Sequence, residues 1–258
     1  MTEALRAEWT KLRTLPGTGW LLIAAVISTV AVSAATAAAV NCPSGTCAED
    51  PAKISLTGIY LGQAVIAIVA VLVISGEYGT GMIRVTFAAL PRRTIVLAAK
   101  AAVLAVLICP AGAVAVGVSL LAGRLILPGN GIGPSHGFPA LSPGDGPVLR
   151  AALGSVLYLA LIALLSLGAA AALREAAAAI GVVLGLLYLF PIIGAAVGSP
   201  DAARHIQQIG PMTAGLAIQA TTGLSSLPLS PWAGLGVLAA WAAGALLLGG
   251  LLLCLRDA

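Results

Sequence analysis

Charge is what this chain has least of. Only 9% of its 258 residues are Asp, Glu, Lys or Arg, while 60% are hydrophobic; a soluble domain carries about 25% charged residues. A water-facing surface with so few charges would expose broad apolar patches and aggregate. Aromatic residues are scarce as well, at 4%. The bulk is Ala, Leu, Val, Ile and Gly, the mixture that crosses a bilayer and packs helix on helix through small side chains. The formal charge of +4 is too small and too scattered for a nucleic-acid partner. It suits a protein set among anionic lipid headgroups. Missing motifs narrow the class further. The sequence contains no G-x-x-x-x-G-K-[ST] phosphate loop, no H-E-x-x-H and no carboxylate pair at helical spacing within an apolar run. An ion-driven carrier needs buried carboxylates or histidines near mid-membrane, and the runs hold essentially none. A chain of this length has room for one membrane domain and none for a nucleotide-binding domain. Energy for any transport is expected from outside it.

A bilayer core takes about 20 residues of helix. Six runs meet or approach that length: Trp20–Val40, Thr57–Ser75, Ala98–Leu121, Ala151–Leu173, Ala177–Val197 and Trp232–Cys254. Unpaired backbone is excluded from lipid, so each run is predicted to be helical, and short alternating strands of the barrel kind are absent. The first run exceeds the about 7–15 residues of a signal-peptide core, and further spans follow it, so it reads as a retained helix. Lys and Arg set the orientation. With the N-terminus inside, Arg6, Lys11, Arg13, Arg84, Arg92, Arg93, Lys100, Arg174 and Arg256 fall on one side, nine against the four of Lys53, Arg124, Arg150 and Arg204. The bias predicts a multi-pass protein of the cell membrane with both termini in the cytoplasm. It also puts Cys42 and Cys47 outside. There they form a disulfide if the compartment is oxidising, and otherwise remain two thiols. Cys109 and Cys254 read as small buried hydrophobes.

Between the spans, four segments stand out. Residues 1–16 place Leu5, Trp9 and Leu12 at i, i+4 and i+7 with charges on other faces, a short amphipathic helix at the interface. Residues 122–150 are rich in Gly and Pro and read as an irregular outer loop. Residues 198–231 alternate polar and moderately apolar groups: either a re-entrant or interfacial helix pair, or a plain surface loop. Residues 76–93, GEYGTGMIRVTFAALPRR, form a polar island between two apolar runs. Gly76, Gly79 and Gly81 permit a turn there, and Pro91 suits the start of a helix. Glu77 at the membrane boundary must be solvated, paired or capping. Arg92 and Arg93 sit at a helix start, where the macrodipole disfavours cations, so some other attraction must hold them. A short interfacial helix over this island would give a soluble motor something to grip. Within the first two spans the polar residues are Ser33, Thr36 and Gln63. Gln63 cannot satisfy its amide on its own helix and is either structural glue or part of a translocation path.

Three stretches, ALRAEWTKLRTLPGTGWLL, ISGEYGTGMIRVTFAALPRRTIVLAAK and LSPWAGLGVLAAWAAGALLLG, together resemble the permease subunits of ABC transporters of the ABC-2 type, most of all the actinobacterial branch. The likeness covers nearly the whole chain, and E-Y-G-T-G-x-x-R with the N-terminal E-W-x-K-L-R carries it. It implies an all-α integral membrane protein with six transmembrane helices behind an N-terminal interfacial helix, a type V exporter-like ABC-2 transmembrane domain filling residues 1–258. A coupling region at 76–97 would dock on a separate ATPase through Glu77, Tyr78, Arg84, Arg92 and Arg93, with Arg174 and Glu175 as a secondary contact. The segment 198–231 would partly re-enter the membrane. The implied partners are two ATPase subunits, which hold the ATP and Mg, a second permease, identical or related, and membrane lipids. The implied cargo is hydrophobic or amphipathic, and this chain would have no cofactor or catalytic residue of its own. Here Gly79 directly follows Glu-Tyr, where many relatives have a bulkier polar pair, and the 122–150 loop is unusually rich in Gly and Pro. Both departures weaken any transfer of substrate identity. Two other classes compete. A non-transporting assembly or immunity factor would show no cargo-stimulated ATP hydrolysis. A lipid-modifying enzyme would need convergent catalytic groups, for which only His136 and Asp145 offer themselves.

Overall fold

The computed structural model describes residues 5–10, 16–42, 50–79, 81–82, 93–134, 137–139, 141–142 and 144–255. Among these there is no strand, and six helices are long and apolar enough to cross a membrane. The helices are α1 (Pro16–Ala39), α2 (Pro51–Ser55), α3 (Ile59–Gly79), α4 (Arg93–Ile126), α5 (Gly146–Leu173), α6 (Ala176–Ala196), α7 (Pro200–Ile209), α8 (Pro211–Gly215) and α9 (Pro231–Leu255). The six long ones are α1, α3, α4, α5, α6 and α9. Each expected span is present, its bounds shifted by no more than five residues. Residues 5–10, inside the expected interfacial helix, are helical.

Helix α5 is the hub. About two thirds of its most apolar window is buried (67%), against 17% for α6 and 22% for α1 and α9. It packs on α9, α4, α3 and α6, burying Tyr158, Ile162, Leu165 and Ala170. Its tightest crossing is with α9. A Cβ on Gly168 would stand 2.4 Å from the Ala245 carbonyl carbon, and one on Gly249 would stand 2.5 Å from the Gly168 oxygen. The two backbones touch because neither residue has a side chain, the small-residue device of membrane helix pairs.

Two differences from the sequence reading concern loops. Helix α3 continues through Gly76 to Gly79, and the left-handed turn residue is Gly81, with φ of 70°. The physical reason is that Glu77 is held by a partner, which fastens the last turn. In the 122–150 region the helix runs on to Ile126 and a 3-10 turn follows at Leu127–Asn130. Leu127 and Ile132 are buried with Ala37, Cys42 and Ile54 in a small second core. Asn130 donates its side-chain amide to the Ala37 carbonyl (2.9 Å) and accepts the Cys42 N–H at its own carbonyl (2.9 Å). These contacts cap the end of α1.

The segment after α6 enters the bundle. Ser199 caps the exposed amphipathic helix α7. The chain then turns at Gly210, and α8 with the 3-10 turn Leu216–Gln219 lies buried against α5 and α9. Asp50 fastens its far end, accepting from the Thr221 hydroxyl (2.6 Å), the backbone N–H groups of Thr221 and Thr222, and Ala52 N–H (3.1 Å). Arg150 donates to the Ala220 carbonyl.

Replacing Gly168 by Ala is expected to cost about 1–3 kcal/mol through forced separation of the α5 and α9 backbones. A thermal unfolding scan in mild detergent reads this as a lowered midpoint. Gly185→Ala, where an added Cβ meets nothing within 4 Å, should leave the midpoint unchanged or raise it.

Candidate functional site

One end of the bundle collects the charges. The C-terminal ends of α3, α5 and α9, the N-terminal ends of α4 and α6, and residues 5–10 meet there, as their mutual contacts require. At its centre is Lys100, 1% exposed, seven residues into α4. Its ammonium lies 2.7 Å from Glu8 Oε2 and 2.7 Å from Glu77 Oε1. Glu8 belongs to the N-terminal helical residues and Glu77 to the last turn of α3, so one cation ties three elements. Each of these charges would be costly alone in an apolar setting, and their close pairing is what makes burial tolerable.

Around the triad, two arginines serve helix ends. Arg93 Nη1 donates to the Leu253 carbonyl at 2.7 Å, and Arg174 reaches the Leu252 carbonyl at 3.5 Å. Both carbonyls lie in the last turn of α9, where orphan acceptors and the negative end of the macrodipole favour cations. The attraction that offsets the macrodipole at the start of α4 therefore comes, for Arg93, from α9 of the same chain. The Arg174 guanidinium also stands over the Tyr78 ring, 5.6 Å from its centre, a cation–π distance. Arg174 adopts φ of 62°, a rare conformation for a residue with a side chain. It makes the two-residue turn between α5 and α6. Glu175 then caps α6, accepting from the N–H groups of Ala178 and Ala177. Those hydrogen bonds, Ala178 first, hold its carboxyl below the ordinary glutamate value.

Of the residues expected at a coupling surface, Glu77, Tyr78, Arg93, Arg174 and Glu175 gather at this end. Arg84 and Arg92 lie outside the described residues, as do Cys47 and His136. Cys42 is disulfide-bonded; Cys109 and Cys254 are free thiols, and neither is the buried residue that its apolar run suggests, Cys109 being half-buried and Cys254 exposed on the bundle's outer face. Asp145 sits at the N-cap of α5 without a side-chain capping bond.

Sequence alone assigns Glu8 no role and Lys100 only that of one more positive charge. The signal was a lysine within an apolar helix, which demands a counter-charge from elsewhere in the fold.

At the opposite end lies a cavity of about 650 Å³ between the end of α1, the starts of α2 and α3, the end of α6 and the 207–229 segment. Gln63 is fully buried behind it. Its Nε2 lies 3.2 Å from Met212 Sδ, and its Oε1 accepts the Tyr158 hydroxyl. Met212 lines the cavity, so Gln63 stands one residue behind the wall. Among the described residues no group of His, Cys, Asp and Glu is placed to hold a metal.

Compared with known proteins, the chain matches no family model and no curated sequence.

Two measurements probe this end. Lys100→Met leaves two carboxylates facing each other without their shared cation, and is expected to destabilise the fold by about 3–5 kcal/mol, read as a lowered unfolding midpoint in detergent. For Glu175 the sign follows from its lowered folded-state value: its contribution is complete above the ordinary glutamate value and is lost as pH falls through the lowered one. Hydrogen exchange at the Ala177 and Ala178 amides should therefore accelerate only in acid in the native chain, and already at neutral pH in Glu175→Ala.

Proposed function

We propose that this chain is the membrane subunit of an ABC-2-type exporter, driven by a separate cytoplasmic ATPase. The observation that carries the reading is the Glu8–Lys100–Glu77 triad. It binds the N-terminal helical residues to both flanks of the 76–97 segment, the segment that the family resemblance assigns to motor docking. A push on that segment reaches α3 and α4 through charged contacts too costly to part, and reaches α5, α6 and α9 through Arg174 and Arg93. The strained Arg174 turn is a joint at which such a push changes the angle between α5 and α6. ATP binding and hydrolysis in the partner supply the displacement. The six-helix scaffold and the tucked-in segment after α6 both agree with this assignment. In this reading two permeases form the path between them, in the plasma membrane with their termini in the cytoplasm.

Purification of the tagged chain from its own host's membranes in mild detergent tests this. It should retain an ATPase chain bearing a G-x-x-x-x-G-K-[ST] loop. Arg84→Glu and Arg92→Glu should lower the retained ATPase without lowering the amount of folded permease. Equal retention in every such variant overturns the docking assignment.

A further inference from the structure

The cavity opposite the triad has a composition that selects its occupant. Its volume of about 650 Å³ falls within the roughly 300–1,000 Å³ of ligand pockets. Most of its wall is apolar, with Ile54, Met212, Leu216 and Leu227 among the lining residues. Among the described residues that line it, Lys53 is the one charged residue and none is a carboxylate.

The ammonium of Lys53 is also uncommitted. It makes no ion pair with a described residue. Of the two acids just before it, Glu49 lies outside the described residues, and the two oxygens of Asp50 already accept four hydrogen bonds from Ala52, Thr221 and Thr222. A second donor waits in the same wall. Gln219 is 2% exposed, lines the cavity, and its Nε2 has no hydrogen-bond partner. The nitrogen is itself closed to solvent, so an acceptor on a ligand reaches it only once the side chain turns toward the cavity, a turn that the cost of about 1–3 kcal/mol for an unpaired buried donor favours. Lys53, Tyr60 and Ala195 are exposed, so the cavity communicates with its surroundings.

We infer that this cavity binds an anionic amphiphile: an apolar chain against the Met212–Leu216–Leu227 wall, with a carboxylate or phosphate head at Lys53. A cationic amphiphile meets the Lys53 ammonium and finds no counter-charge. A zwitterionic one gains the anion contact but must also place its ammonium near Lys53. The inference rests on the export reading for its meaning, since it names the chemical class of the cargo, but binding is a property of this chain alone.

The test uses the full chain in phosphatidylcholine nanodiscs, without any ATPase, and a dansyl-labelled fatty acid whose emission rises in an apolar site. Palmitate and lysophosphatidate distinguish the carboxylate from the phosphate head. Lysophosphatidylcholine and a long-chain alkyltrimethylammonium are the zwitterionic and cationic controls. The expected result is saturable binding, displaced by palmitate, lysophosphatidate or both, and at least about tenfold more weakly by the two controls, the scale of a charge-assisted hydrogen bond. Lys53→Glu should weaken binding by at least the same factor. Ala195→Trp, placed on an exposed wall residue, should block it while leaving the unfolding midpoint unchanged. Equal displacement by all four head groups, no saturable binding, or undiminished binding in Lys53→Glu overturns the proposal. Failure here leaves ATPase retention untouched, and loss of ATPase retention leaves this binding untouched, so the two readings fail separately.

Discussion

A buried lysine with two carboxylates is the constraint around which this end of the molecule is organised. Lys100 lies inside a helix made mostly of Ala, Val, Leu and Ile, and in such surroundings a lone charge is not tolerated. Its partners come from far away in the chain: Glu77 is 23 residues distant and Glu8 is 92. Satisfying one cation therefore draws the N-terminal helical residues against the bundle and fixes the last turn of α3. Buried ion pairs add little net stability compared with apolar packing, but they strongly disfavour arrangements in which a partner is missing. The triad thus specifies where three elements must meet.

The opposite end uses the same logic with hydrogen bonds. Asp50 leaves no oxygen idle, holding the start of α2 and the Thr221–Thr222 backbone together. Arg150 takes the Ala220 carbonyl, and Gln63 is shared by Tyr158 and Met212. These contacts keep the 211–222 segment inside the bundle, where irregular backbone needs protein partners because lipid offers none. What they leave behind is a cavity with an uncommitted ammonium and an amide nitrogen without an acceptor. One end ties its charges to one another, and the other leaves a lysine beside an apolar cavity.

Several features were legible before any coordinates. The six apolar runs announced themselves by length, because a bilayer-spanning helix needs a continuous stretch and nothing else in a sequence mimics it. Glu77 was recognisable as a group needing a partner. The extent of α3 through Gly76 was not, because it depends on Lys100 holding the following residue. The order in 127–132 was also hidden. Leu127 and Ile132 are isolated apolar residues in a Gly/Pro-rich stretch, and only the approach of Cys42 and Ile54 gives them something to bury against. Arg93 looked misplaced at a helix start until the carbonyls of α9 were found beside it.

The sequence by itself determined that this chain is a bundle of membrane-length helices, since hydrophobic length and the scarcity of charge are local properties that tertiary contacts cannot reverse. It also marked the polar island, because charges between apolar runs must leave the hydrocarbon. Only the tertiary structure decided which charges are spent on one another and which stay available. That distinction turns on partners 23 to 172 residues apart, and no periodicity or spacing encodes contacts at such separations.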